Sequence, residues 1–297
     1  NNNLYILDRA TGQMRQRIKG LGNVIKHLCV SPDGRWLAAV LGGGEGVRVY
    51  DARNSFSQVF ADRDYGTDSS YGCAFSPDSR SLVTTCDDGQ IRRYRLQGSS
   101  FRKDRQAATQ GGKEPFMVAF HPAGDRLAVG FNDSTAVSVL DADQLTRLYA
   151  PDSSGLDNGN LGRVAWSADG SLLFAGGRYD DGSGSPVLRW GDQGRGRRES
   201  WQAADNTVMD FAPLPDNSLL VGTADPALLR YDRQGSKLFD LRHNIPDMRN
   251  KLSDNFQVST DGSQVSFGLG YGGKEPVCFD LKTRQVSSGK CQDSLTG

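Results

Sequence analysis

Short apolar segments alternate with polar turn sequences along the whole chain. The first clear case is the turn Ser31-Pro32-Asp33-Gly34, which follows residues 24–30 (VIKHLCV) and precedes residues 35–40 (RWLAAV). Pro, Asp and Gly favour a tight turn, and the flanking runs are too short and too continuous for helices. The stretch therefore predicts a strand, a turn and a second strand.

The same unit recurs six times. A third run follows each pair of strands and usually ends in an aromatic residue and Asp, as in residues 47–51 (VRVYD), and a weaker fourth run comes next. Four short antiparallel strands at such a period are the signature of a propeller blade, because stacked blades cover the faces of one another. The six turns, spaced by 45 to 47 residues, begin at Ser31, Ser76, His121, Ser167, Leu214 and Ser259.

We predict an all-β fold, a β-propeller of four-stranded antiparallel blades, with six full blades and a partial seventh formed by the N-terminal strands. Residues 4–8 (LYILD) and 12–18 match the third and fourth strands of a unit that lacks its first two. Either sequence beyond Gly297 completes this blade, so that the chain is a fragment, or the blade is a two-stranded stub. The missing initial Met favours a fragment. The single domain, residues 1–297, divides into blades at about 1–20 (partial), 21–62, 70–108, 114–150, 161–203, 206–242 and 253–290.

The Ser-Pro-Asp-Gly turn and the aromatic-Asp end of the third strand resemble the WD-repeat β-propellers, especially the bacterial ones, over essentially the whole chain. This resemblance implies a binding platform for other proteins. The Gly-His dipeptide of well-kept repeats is missing from every unit, and no Trp-Asp is present. With three histidines, most blades cannot assemble the family's hydrogen-bonded tetrad that contains that His. The seven-bladed surface-layer-like propellers are therefore a related alternative.

A second resemblance concerns residues 255–268, with Gly272-Gly273-Lys274 beyond them. This segment is similar to the propellers of large bacterial proteins that also carry a caspase-like peptidase domain. The resemblance implies a covalently attached peptidase domain in a signalling or defence protein, with the propeller as its sensor or docking part.

Charge and cysteine content narrow the choice of partner and compartment. The 35 basic and 35 acidic residues cancel, so net charge favours neither nucleic acid nor an anionic membrane. No apolar run is long enough to span a membrane. Five cysteines with irregular spacing do not form a disulfide framework, which favours a reduced, cytoplasmic setting, although the true N-terminus is not visible and a periplasmic location stays open. A Cys73–Cys86 bridge across one hairpin is an alternative.

The sequence offers no catalytic set and no cofactor or metal motif, so we predict a protein that is not an enzyme. His27 and Cys29 share one side of a strand as a half-buried pair, and neither His121 nor His243 has a visible partner. The Asp-rich turns at residues 157–160 and 180–182 have no EF-hand spacing. The alternative is a propeller enzyme or small-molecule binder that uses polar residues of the central channel, namely Lys26, His27, Arg163 and Asp210.

Long connections on the face opposite the Ser-Pro-Asp-Gly turns favour that face for binding a protein or peptide partner. They comprise residues 61–71, 99–115, 151–162, 177–186 and 242–255. Loops of this length are often functional, and aromatic and Arg residues are the usual interface anchors. The candidate partner-binding residues are Tyr65, Arg102, Lys103, Arg105, Lys113, Tyr179, Asp180, Tyr271 and Lys274.

Overall fold

The computed structural model describes residues 2–8, 13–242, 256–259, 261–267 and 277–288. It shows six four-stranded antiparallel sheets and one two-stranded sheet, and the strands of each four-stranded sheet follow one another in chain order. Helix in the described part is limited to two short 3-10 turns, Ala52–Asn54 and Asp192–Gly194. The predicted all-β propeller with six full blades is therefore confirmed.

The strands are numbered β1 to β26 in chain order. The N-terminal pair is β1 (Leu4–Leu7) and β2 (Met14–Ile18). The first strands of the six blades are β3 (Ile25–Val30), β7 (Ser70–Phe75), β11 (Pro115–Phe120), β15 (Arg163–Trp166), β19 (Val208–Pro213) and β23 (Phe256–Val258). The second strands are β4 (Trp36–Leu41), β8 (Ser81–Cys86), β12 (Arg126–Phe131), β16 (Leu173–Gly176), β20 (Leu219–Thr223) and β24 (Gln264–Phe267).

The outer half of each blade follows the same order. The third strands are β5 (Val47–Asp51), β9 (Gln90–Gln97), β13 (Val137–Asp141), β17 (Ser185–Trp190), β21 (Ala227–Tyr231) and β25 (Val277–Asp280). The fourth strands are β6 (Ser57–Asp62), β10 (Ser100–Ala108), β14 (Arg147–Tyr149), β18 (Arg198–Ala204), β22 (Lys237–Leu241) and β26 (Val286–Ser288). First strands of consecutive blades contact one another, which places them at the centre of the molecule.

The hydrophobic core lies between the blades. Every residue of β4 and of β5 is buried, because neighbouring sheets cover both faces of these middle strands. This burial explains why the sequence of β4 is a continuous apolar run rather than an alternation. Between the first two blades, for example, Val40 and Val49 pack with Phe75, Tyr94 and Phe101.

The Ser-Pro-Asp-Gly turn recurs because its side chains satisfy its own backbone. The Ser31 hydroxyl donates a hydrogen bond to Asp33 Oδ1 at 2.6 Å and accepts one from the Trp36 N–H at 2.8 Å. Asp33 also accepts the Arg35 N–H at 3.0 Å. The same Ser–Asp bond is present at Ser76, Ser167 and Ser259. In these four turns a hydroxyl and a carboxylate two residues apart therefore bind each other and the turn backbone.

The N-terminal strands pair as predicted, with Leu4 opposite Ile18. Their apolar side chains pack on Leu37, Leu41 and Tyr50 of the first complete blade. The pair is therefore a two-stranded sheet with one covered face, as expected for the third and fourth strands of a blade.

Two expectations are corrected here. Residues 99–115 are not a loop, because β10 occupies Ser100–Ala108 and pairs with β9 along its length. Arg102, Lys103 and Arg105 consequently lie on the outermost strand of the second blade. The alternative Cys73–Cys86 bridge is also wrong, since both thiols are free.

We predict that Ser167→Ala lowers the free energy of unfolding by about 1–3 kcal/mol, because the buried Leu172 N–H loses its acceptor. Urea denaturation measures the change. Ser236→Ala is the matched control, since its exposed hydroxyl forms no hydrogen bond within the described residues. Equal stability of the two variants would contradict a structural role for the turn serines.

Candidate functional site

The strand ends form two different faces. We define the narrow-turn face as the turns within each complete blade that join its first strand to its second and its third strand to its fourth. It comprises residues 31–35, 52–56, 76–80, 98–99, 121–125, 142–146, 167–172, 191–197, 214–218, 232–236, 259, 261–263 and 281–285. We define the wide-loop face as the connections at the other strand ends. It comprises residues 19–24, 42–46, 63–69, 87–89, 109–114, 132–136, 156–162, 177–184, 205–207, 224–226 and 242. Residues 150–155 are not included, because they lie beside Trp190 and Arg198.

Backbone hydrogen bonds join the wide loops into one connected surface. The Gly44 N–H donates to the carbonyl of Asp68 at 2.8 Å, which links the first blade to the connection that follows it. Loops between blades pair in this way with the loops inside blades around the face. Further examples are Thr109 to Gly89 at 2.9 Å, Leu161 to Ser134 at 3.0 Å, Tyr179 to Asn160 at 3.1 Å and Val208 to Gly177 at 2.9 Å.

Charge is distributed unequally between the faces, although the chain as a whole is neutral. The wide-loop face carries five basic residues, Lys19, Arg63, Lys113, Arg178 and Arg242, and twelve acidic ones, Glu45, Asp64, Asp68, Asp87, Asp88, Glu114, Asp133, Asp157, Asp180, Asp181, Asp205 and Asp225. The narrow-turn face carries eight basic residues, Arg35, Arg53, Arg80, Arg195, Arg197, Arg233, Lys282 and Arg284, and nine acidic ones, Asp33, Asp78, Asp125, Asp143, Asp169, Asp192, Asp216, Asp232 and Asp261.

Basic side chains neutralise only some of the wide-loop carboxylates. Glu45 pairs with Arg48 at 2.7 Å, Asp64 with Lys103 at 2.8 Å, and Asp88 with Arg92 at 2.5 Å. Arg242 lies 3.1 Å from Asp225 and 3.9 Å from Asp205. The other seven have no ion pair within the described part of the chain: Asp68, Asp87, Glu114, Asp133, Asp157, Asp180 and Asp181.

A row of cations and rings crosses the inner strands at the centre of this face. Lys26, Tyr71 and Phe116 each lie five residues before a turn, so they occupy equivalent positions of β3, β7 and β11. The two rings are half-buried, with centroids 5.0 Å apart and planes inclined by 35°. The Lys26 ammonium lies 5.0 Å from the Tyr71 centroid, and the Arg163 guanidinium lies 5.0 Å from that of Phe116.

Close packing of the second and third blades fixes the two rings. Gly72 follows Tyr71, and a Cβ at this position would collide with the Phe116 carbonyl. The Thr85 hydroxyl accepts the Gly72 N–H at 2.9 Å and donates to the Phe116 carbonyl at 2.5 Å. We call the half-buried residues Asp87, Glu114, Tyr71 and Phe116, with the exposed Asp68, the channel mouth.

Electrostatics at the channel mouth is negative. Burial, together with the neighbouring carboxylates of Glu114 and Asp68, raises the pKa of Asp87 to about 6, while the Lys26 ammonium opposes them. Burial also raises the pKa of Tyr71, with Asp87 and Glu114 contributing. The charges of the chain therefore leave an excess of negative potential here.

The predicted site residues separate into three groups. Lys113 and Asp180 are exposed on the wide-loop face. Arg102, Lys103 and Arg105 lie beside it on β10, where Lys103 reaches Asp64. Tyr271 and Lys274 lie outside the described residues. The partner-binding role of all of these remains a prediction.

Tyr65 and Tyr179 are not exposed anchors, which corrects their assignment. Tyr65 is fully buried and Tyr179 is 9% exposed, because both rings turn back from polar loops into the core. The Tyr65 hydroxyl lies 2.7 Å from both Thr84 Oγ1 and the Tyr94 hydroxyl, and the latter donates to Asp62 at 2.9 Å. This network ties a connecting loop to the second and third strands of the second blade, in a unit that has no His.

The buried His27 and cysteines do not form a nucleophilic site. His27 Nδ1 accepts the Cys73 N–H at 3.2 Å, and the Cys73 Sγ lies 3.8 Å away. Burial, and secondarily the neighbouring Cys29, raises the pKa of the Cys73 thiol, which disfavours the reactive thiolate. Among the described residues, no cluster of three His, Cys, Asp or Glu side chains is suited to a metal ion. The helices found within these residues include none that could cross a membrane.

A groove of about 580 Å³ opens on the narrow-turn face between the second and third blades. Its polar lining is satisfied internally. The Ser76 hydroxyl donates to Asp78 at 2.5 Å, and Arg95 forms an ion pair with Asp143. We therefore regard the channel mouth as the stronger candidate site.

We predict that Tyr65→Phe lowers the free energy of unfolding by about 1–3 kcal/mol, because two buried hydroxyl partners lose a hydrogen bond. Thermal or urea denaturation measures the loss. Tyr5→Phe is the control, since that ring is 44% exposed. A Tyr65→Phe variant as stable as the wild type would show that the network does not hold the blade.

We predict that the Asp87 carboxyl titrates in NMR spectra with a midpoint near pH 6, and that Glu114→Gln lowers this midpoint. Because the pKa in the folded state exceeds that of the unfolded chain, ionisation of Asp87 destabilises the fold as pH rises from about 4 to 6. Asp87→Asn should therefore be at least as stable as the wild type at neutral pH. A midpoint near 4, or one equally moved by the distant Glu199→Gln, would contradict the negative field.

Comparison with known proteins agrees with this architecture. Residues 64–95 match the family model described as WD domain, G-beta repeat. The chain is 28% identical over 117 residues to the Protein groucho of Drosophila melanogaster, covering 39% of the chain and 15% of that protein. It is 24% identical over 168 residues to the Target of rapamycin complex subunit wat1 of Schizosaccharomyces pombe, covering 56% of the chain and 50% of that protein. The chain is thus a six-bladed β-propeller with a WD-repeat match in its second blade.

Proposed function

We propose that this chain is a non-catalytic platform that binds a protein or peptide partner through its wide-loop face. The observation that carries the proposal is the contrast in charge between the faces: twelve acidic and five basic residues on the wide-loop face, against nine and eight on the narrow-turn face. Seven carboxylates of the connected wide-loop face have no ion pair within the described residues. Carboxylates without an ion pair keep a net charge that is available to a second molecule, even where they accept hydrogen bonds from backbone N–H groups of the wide-loop face, as Asp133 and Asp181 do.

Two further observations support this proposal. WD-repeat propellers generally present their surfaces to other proteins, and one blade matches that repeat. One relative is named as a subunit of a complex. We extend the proposal to a larger bacterial signalling protein, because residues 255–268 resemble propellers attached to caspase-like peptidase domains.

The alternative of an enzyme or small-molecule binder in the central channel has less support. Its candidate residues are engaged with neighbours. Lys26 lies over Tyr71, His27 accepts a backbone N–H, and Asp210 accepts the Phe211 N–H at 2.9 Å. A channel active site needs such groups to converge on a substrate instead.

Site-specific photo-crosslinking tests the proposed face. We predict that benzoylphenylalanine at the exposed positions Thr67 or Lys113 crosslinks a partner protein in cells of the source organism. The same group at Ala123 or Gln234, exposed on the narrow-turn face, is the matched control. Crosslinks confined to the control positions, or absent from all four, would refute binding through the wide-loop face.

A further inference from the structure

We propose that the partner contributes a Lys- or Arg-rich segment, and that one of its cationic side chains enters the channel mouth beside Asp87 and Glu114, over the Tyr71 and Phe116 rings. This inference rests on the proposed function and names the chemistry of the partner. Three observations carry it.

The first is the asymmetry of charge. On a chain with no net charge, the wide-loop face holds twelve acidic residues against five basic ones, while the narrow-turn face holds nine against eight. A single-sign surface of this kind attracts partners of opposite charge and speeds their association. Phosphate backbones, anionic membranes and acidic peptides are disfavoured for the same reason.

The second observation is that Asp87 lies near the carboxylates of Glu114 and Asp68, and that the Lys26 ammonium does not offset their combined effect. Asp87 is half-buried and lies in the field of Glu114 and Asp68, and Lys26 is the basic residue that opposes this field. Keeping like charges close together in a partly desolvated place costs free energy in the free protein. A partner cation placed there would recover that cost on binding.

The third is independent of the carboxylates. Tyr71 and Phe116 occupy equivalent positions of adjacent inner strands and present half-buried rings at the channel mouth. Each ring already has a cation 5.0 Å from its centroid. Aromatic rings beside carboxylates bind ammonium and guanidinium groups through both charge and the ring quadrupole. Arg163 is 6% exposed and fixed in the fold, whereas the partly exposed Lys26 competes with an incoming cation.

The test measures fluorescence anisotropy with the full 297-residue chain and a labelled peptide of six Gly-Lys repeats, at about pH 8 and about 50 mM salt. A peptide of six Gly-Glu repeats is the negative control. We expect Asp87→Asn combined with Glu114→Gln to weaken binding of the Gly-Lys peptide by about tenfold. The pair Asp143→Asn and Asp192→Asn removes two exposed charges from the narrow-turn face and should change binding by less than about twofold.

A variant that improves binding excludes misfolding as an explanation. Lys26→Met removes the competing cation but keeps an apolar stem, and we expect it to tighten binding of the Gly-Lys peptide by about twofold to fivefold. Weaker binding by Lys26→Met would contradict the inference, because it would assign Lys26 to contact with the partner.

The outcomes separate this inference from the function on which it rests. The proposal of a basic segment is overturned if the Gly-Lys peptide does not bind. It is also overturned if the Asp87/Glu114 and Asp143/Asp192 double variants lose the same affinity for that peptide. If crosslinks from Thr67 or Lys113 persist in that case, the wide-loop platform stands with a partner of other chemistry. Absence of those crosslinks overturns the platform itself.

Discussion

A four-stranded sheet whose middle strands are apolar on both faces cannot stand alone in water, and this constraint shapes the whole molecule. β4 and β5 are buried over their full length, and burial of each apolar side chain contributes on the order of 1.5–3 kcal/mol. Neighbouring blades supply the cover. Stacking the blades around an axis then directs every strand end to one of two faces, which separates the narrow-turn face from the wide-loop face.

The two faces use the same residue types for different purposes. On the narrow-turn face, burial alone would raise the pKa of Asp169, but hydrogen bonds from Ser167 and Ser171 outweigh it and hold this pKa below its ordinary range. On the wide-loop face, Asp87 has carboxylates for neighbours and its pKa is raised. The charge of Asp169 thus stabilises the fold, whereas that of Asp87 destabilises it.

The sequence predicted what local chemistry determines. The turn that begins at Ser31 satisfies its own backbone, so its recurrence located six blades. The prediction of a loop at residues 99–115 was wrong. β10 packs only one of its faces, and the charged residues on its other face are also typical of loops. It was also wrong for Tyr65, whose ring returns to the core through long-range contacts. Asp87 and Glu114 were missed because they lie on connections of different blades. Counting charges separately for the two sets of loops would have indicated them.

The most direct test of the central claim is a map of amide chemical-shift changes when the Gly-Lys peptide is added to isotope-labelled protein. The account predicts that the largest changes cluster at Asp68, Tyr71, Asp87 and Glu114, and that they disappear in the Asp87→Asn, Glu114→Gln variant. Changes centred on the narrow-turn face, at Ala123 or Gln234, or changes that persist in that variant, would contradict it.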